Sequence, residues 1–523
     1  MKLPHPATCT VCLTLLAFVT LSSQAQGISA EGTASTAKPV LMTRAGSVAG
    51  TGGEIESFKG IPYAAPPVGP LRWRPPQPAA AWKGVRDATH FGDDCMQRPY
   101  VISTGQKTSE DCLTVSVWTP GHAPGAHRPV MVFLYGGGFI GGSCAYPLYD
   151  GAKLAANGVV VVCPNYRVGI FGFLAHPALS AESPHKSSGD YGLLDQIAAL
   201  EWVKDNIAAF GGDPQRVTVF GESAGAVSIA VLMTSPLAKG LFSQAILHSP
   251  SVPQLAALSP AEQSGAALGP DLAALRRLSA TELLAHNDDF FPQSAGGSLM
   301  ALRFPEPVMD GYVVPAQPRA QFAAGTVNTV PAIVGIAAEE GRMFSPQQTL
   351  ASYRAWVNDK FDGSSEQLLV LNPAKTDAAA NTAAAAILGD AIFGESARLI
   401  ARGLSTHQPK TFFYLFSRGV AGRAQPATHS EVLPFVFGSL DKPSFIPHPP
   451  PDATDLELTA TLRQAWARFA ASGDPNGSGL PHWPSYDRAS DPYLEFGTEV
   501  RAGHAYRRGQ LDALAPFFAG HQP

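Results

Sequence analysis

A chain of 523 residues, 45% apolar and 15% charged, has the composition of an ordinary soluble globular protein with material for a large core. Its formal net charge of −5 argues against nucleic acid or an anionic membrane as partner. Gly 51 and Pro 46 predict many turns and long ordered loops, and no internal repeat or low-complexity tract divides the chain.

The first element is a targeting segment. Lys2 supplies a positive start, Ala7 to Val19 is largely apolar, and Ser23-Gln24-Ala25 offers small residues for cleavage. The apolar run is shorter than the ~20 residues of a spanning helix. The reading is therefore a signal peptide over 1–25, no membrane association after its removal, and a secreted or periplasmic location. Cys9 and Cys12 leave with it, and Cys95, Cys112, Cys144 and Cys163 remain in an oxidising environment. Cys95 and Cys112 bracket a polar stretch, as a loop-closing disulfide does. Cys163 sits in an apolar run and reads as a small buried hydrophobe.

Val130 to Tyr135, Gly158 to Cys163 and Val217 to Phe220 lack alternation and read as buried parallel strands. Tyr191 to Phe210 places its apolar residues mostly on one helical face, so strand, helix and strand make a crossover unit. Gln244 to Leu247 and Ala332 to Ile336 read as further strands, and Leu456 to Ala471 as a late amphipathic helix. From Ser251 to Met300 the pattern changes to short Leu- and Ala-rich helical pieces, and Pro305, Pro307 and Pro315 return the chain to the sheet. The fold class is α/β: a mostly parallel sheet flanked by helices, with cap insertions around 251–310 and 345–405 in one domain over 26–523.

Gly221-Glu222-Ser223-Ala224-Gly225 is G-x-S-x-G on a strand-to-helix turn, an elbow where glycines two residues either side remove clashing side chains. A serine hydroxyl is a poor nucleophile, and its tetrahedral intermediate carries an oxyanion. Such a site needs a base and preorganised N–H donors. Tyr135-Gly136-Gly137-Gly138-Phe139 follows a buried strand and offers two donors, and the Ala224 N–H offers a third. Gly136, Gly138 and Gly141 also fit G-x-G-x-x-G. A dinucleotide site needs a helix at the third glycine, and Ser143 to Pro147 does not open one. A carboxylate is expected just past a strand's carboxyl end, where Glu339 and Glu340 stand, followed by a histidine among His407, His429, His448, His482, His504 and His521. Of these, His429 stands in a loop before the apolar segment Leu433 to Gly438. Arg342 and Arg423 lie close in sequence to these positions, where either could meet an acidic acyl group at a pocket mouth.

These residues carry a resemblance. Phe58 to Ala64 with Pro66-Pro67-Val68-Gly69, Glu110-Asp111-Cys112-Leu113, Tyr191 to Gln196, Phe210 to Pro214, Ser472 to Asn476 and Trp483-Pro484 resemble the signatures of the type-B carboxylesterases. That group contains the cholinesterases and the bacterial para-nitrobenzyl-type esterases, and the similarity runs from about Val48 to Phe496. The resemblance implies the α/β-hydrolase fold, with Ser223 as nucleophile, Glu340 as acid in place of Glu339, and His429 as base. It implies Gly137, Gly138 and Ala224 as oxyanion donors and a Cys95–Cys112 disulfide. The family usually places an acidic residue three after the histidine, where this chain has Val432 with Glu431 one position earlier, and a glycine where this chain has Pro250.

The expected reaction is hydrolysis of a small-molecule carboxylic ester through an acyl-enzyme on Ser223, with no metal or cofactor required. Alternatives are hydrolysis of amides, lactones or carbamates by the same triad, or an esterase-like protein that only binds. Met96 to Asp111 contains no tryptophan, and Tyr100 is its only aromatic residue. A quaternary ammonium needs a cage of aromatic faces, so neutral alkyl or aryl esters are the expected class rather than choline esters. Nothing in the sequence sets an oligomeric state.

Overall fold

Apolar runs without alternation must be covered on both faces, and in the computed structural model they form the middle of one ten-stranded sheet. In chain order its strands are β1 Glu56–Pro62, β2 Thr114–Thr119, β3 Arg128–Leu134, β4 Val160–Pro164, β5 Gly212–Glu222, β6 Gln244–His248, β7 Ala332–Ala337, β8 Thr411–Phe416, β9 Pro492–Phe496 and β10 Val500–His504. In space they run β1-β2-β4-β3-β5-β6-β7-β8-β9-β10. Every pairing from β4 to β9 is parallel, and the outer pairings of β1, β2 and β10 are antiparallel. A small separate sheet joins Val40–Met42, Ser47–Ala49 and Val85–Asp87.

The structure describes residues 38–99, 102–123, 125–286 and 306–520, all within one unit over Thr36–Pro523. The signal segment 1–25, Tyr100 and part of the first cap insertion therefore lie outside the described residues. Helix α1, Tyr191–Asn206, makes the expected crossover, but β4 and β5 are not neighbours; β3 lies between them. Arg167, just past β4, is buried with Asp195 of α1 at 2.7 Å, and Gln196 donates to Ser228 at 3.0 Å. Ser228 belongs to helix α2, Ala224–Thr234, so the specific run 191–196 acts structurally, fixing α2 behind the elbow.

The second cap region is helical: α3 Leu350–Lys360, α4 Asp377–Gly389 and α5 Glu395–Ser405, with a π-helical turn over Asp390–Gly394. The late helix α6 spans Ala453–Ser472. Among the described residues no helix is long and apolar enough to cross a membrane. Cys95 and Cys112 form a disulfide. Cys163 corrects the sequence reading, because it is not a free buried thiol but is bonded to Cys144. An apolar neighbourhood suits a cystine as well as a thiol, so hydropathy could not distinguish the two.

Candidate active site

Parallel strands deliver their carboxyl ends to one edge of the sheet, where such folds place their sites. At the end of β5, Ser223 has φ 54° and ψ −125°, a strained conformation for a non-glycine residue. Its N–H donates to the His248 carbonyl at 3.0 Å. The flanking glycines are steric necessities. A Cβ on Gly221 would lie 2.7 Å from the Leu134 carbonyl oxygen, and one on Gly225 only 1.9 Å from the same atom. His248 itself is buried, which lowers its pKa to about 3 and leaves it neutral.

Glu340 follows β7. One carboxylate oxygen accepts from Ser249 Oγ at 2.5 Å and from the Ala337 N–H at 2.6 Å. The other lies 2.6 Å from His429 Nδ1. Glu339 points elsewhere and pairs with Arg342 at 2.5 Å. The loop bearing His429 is tied to this turn, because the Glu339 N–H donates to the Ala427 carbonyl at 2.9 Å. Glu431 accepts from the Thr428 N–H at 2.6 Å and from Arg423 at 2.6 and 2.8 Å, so the loop's acidic residue sits one position early and still closes the turn. Arg342 and Arg423 are thus each paired with a carboxylate, and neither borders the cavity.

His429 is buried between Phe344 and Phe393, with ring centroids 5.1 and 4.5 Å away. Among the described residues its Nε2 has no hydrogen-bond partner, yet it lies 3.1 Å from Glu222 Oε1. Glu222 accepts from Ser430 Oγ at 2.6 Å. Burial acts to lower the His429 pKa, but the charges of Glu222 and Glu340 and the bond to Glu340 outweigh it, and the pKa is raised. Burial raises that of Glu222. Two acceptors this close favour a proton on one of them. Sequence reasoning missed Glu222, since the position before a G-x-S-x-G serine carries no signal of its own.

Gly137, Gly138 and Phe139 have φ of 116°, 61° and 57°, a left-handed run that borders the same cavity as Ser223. Among the described residues no protein acceptor takes the N–H of Gly137, Gly138 or Ala224. These residues, Ser223, His429 and Glu222 border one cavity of about 180 Å³. Phe139 and Tyr149 line it. Tyr135 instead stacks on Tyr166 at 4.3 Å, and Tyr146 packs on Tyr149. Phe344, Ile392, Phe393 and Phe445 complete an apolar wall that sequence proximity did not reveal. Half-buried Glu306, whose carboxyl burial pushes up to about 7, also borders it. Among the described lining residues there is no lysine, arginine or tryptophan.

Residues 37–514 match the carboxylesterase family. The chain is 42% identical over 490 residues to fumonisin B1 esterase of Sphingopyxis macrogoltabida, covering 92% of this chain and 90% of that one. It is 36% identical over 480 residues to para-nitrobenzyl esterase of Bacillus subtilis, covering 88% and 95%. A solved PNB esterase superposes with a TM-score of 0.78 at 34% identity, over 91% of this chain and 100% of that chain.

Proposed function

The chain belongs to the carboxylesterase family, with the α/β-hydrolase fold and ester hydrolysis as its activity, and from that premise we propose that Ser223, His429 and Glu340 perform the reaction. The observation that carries this is the state of His429: Nδ1 is held 2.6 Å from Glu340, while Nε2, beside Glu222, makes no hydrogen bond among the described residues and His429 borders the same cavity as Ser223. His429 takes the Ser223 proton as the oxygen attacks the ester carbonyl. Glu340, anchored by Ser249 and Ala337, keeps the imidazole oriented and stabilises its cation. The N–H groups of Gly137, Gly138 and Ala224 receive the oxyanion. Collapse of the intermediate passes the His429 proton to the departing alcohol. Water then repeats the sequence on the acyl-enzyme and releases the acid.

The apolar, aromatic wall suits neutral alkyl or aryl esters. Residues 251–310 and 345–405 act as cap insertions of a single domain over 26–523, and cleavage after Ala25 delivers the protein to the periplasm or medium. Ser223→Ala should fold normally and lower kcat by at least ~10⁴, because nucleophile and base act as a unit. An organophosphonate should label only the wild type. Retained activity, or stoichiometric labelling of the alanine variant, would overturn the assignment.

A further inference from the structure

The glycine loop after β3 needs its positive-φ conformation held in one place, and such a segment gains most from being left free. The middle of the loop is anchored where the Gly169 N–H donates to the Phe139 carbonyl at 2.6 Å. The exit is held much more heavily. Gly142 is clamped by one side-chain amide: its N–H donates to Gln97 Oε1 at 2.8 Å, and Gln97 Nε2 donates to its carbonyl at 2.8 Å. Gln97 Nε2 also donates to the Cys95 carbonyl at 3.0 Å, and the side chain is buried. The next residue, Ser143, donates to Asp94. The one after, Cys144, is bonded to Cys163 of β4, and its N–H donates to Asn165 at 3.0 Å. There is no slack at this point, since a Cβ on Gly142 would lie 2.3 Å from the Tyr135 ring.

These ties bind residues 142–144 to two separate parts of the molecule, the segment that begins the Cys95–Cys112 loop and strand β4. None of Gln97, Cys144 and Cys163 borders the catalytic cavity. We propose that Gln97 and the Cys144–Cys163 disulfide are positioning elements for the oxyanion donors, setting the rate of acyl transfer and not the binding of substrate. The proposal rests on the assignment of the Gly137 and Gly138 N–H groups as donors. Donor geometry matters at the scale of ~0.5 Å, so a loop released at its exit loses transition-state stabilisation before it loses a pocket.

The test compares full-length wild type with Gln97→Met, the milder Gln97→Asn and the double variant Cys144→Ala/Cys163→Ala. Each is assayed on an aryl ester and on its thionoester, whose sulfur is a poor hydrogen-bond acceptor. Wild type should strongly favour the oxygen ester. Gln97→Met and the double cysteine variant should lose about tenfold or more in kcat with KM within about twofold, and the oxygen-to-sulfur ratio should fall in step. Gln97→Asn, whose amide stops one methylene short of Gly142, should fall between. It keeps the test available if the others fail to fold. A large wild-type ratio left unchanged in the variants would overturn the positioning role alone. A wild-type ratio near one, with Ser223→Ala inactive, would overturn the donor assignment and the proposal with it.

Discussion

At the scale of single residues, the unusual feature is the placing of one imidazole between two buried carboxylates. Glu222 and Glu340 both favour the His429 cation, while the reaction needs its neutral form. Activity should therefore rise with pH through a midpoint above the ordinary histidine value of 6.5. Glu222→Gln removes one of the two charges, so the acid limb of kcat/KM should move to lower pH. A limb that stays or moves upward would refute that account. The two glutamates after β7 separate just as sharply. Glu340→Gln should lower kcat by about 10⁴, as expected when the group orienting a catalytic imidazole is lost. Glu339→Gln, which loses only its pairing with Arg342, should stay within a few-fold. Equal small losses would place the acid elsewhere. Ser223 and its flanking glycines were legible because the elbow is a local device. Glu222 was not, since its proximity to His429 comes from chain segments far apart in sequence.

At the scale of elements, the acid's turn is pressed against α4. A Cβ on Gly341 would lie 2.0 Å from the Ala385 carbonyl oxygen, and one on Gly389 would lie 2.7 Å from the Gly341 N–H nitrogen. The π-helical turn that follows α4 brings Ile392 and Phe393 to the cavity. Gly341→Ala should therefore displace Glu340, lowering stability by about 1–3 kcal/mol and activity by more than that destabilisation explains. Thermal melts and kinetics on the same sample would check this, and a variant with wild-type Tm and kcat would show that the contact yields freely. Strands β3 to β7 were legible because their uninterrupted apolar runs are covered on both faces. Strands β1, β2, β8, β9 and β10 were not picked out. β1 mixes polar and apolar residues and pairs with a strand far along the chain, while β10 is a largely exposed hairpin partner of β9. The cavity wall was only half legible for the same reason, since Phe344, Phe393 and Phe445 come from segments with no motif to mark them.

At the scale of the molecule, all four cysteines of the described residues are joined in pairs. Protein exported to an oxidising compartment should show no titratable thiol after denaturation without reductant, and peptide mapping should recover Cys95–Cys112 and Cys144–Cys163. Closing loops of this size stabilises by about 3 kcal/mol each on the chain-entropy estimate, so protein made under reducing conditions should melt lower. Recovery of Cys144 and Cys163 as free thiols would contradict the second pairing. The strand order has a further consequence for how the enzyme comes into being. The elbow needs β3, β5 and β6, which are complete by residue 248, but the acid arrives with β7 and the base only beyond β8. β9, which covers the outer side of β8, is drawn from residues 492–496. A chain truncated before residue 340 thus carries Ser223 without the proposed acid or base. With His429 as the proposed base, hydrolysis requires a chain complete past β8, so turnover reports that this late segment has joined the fold.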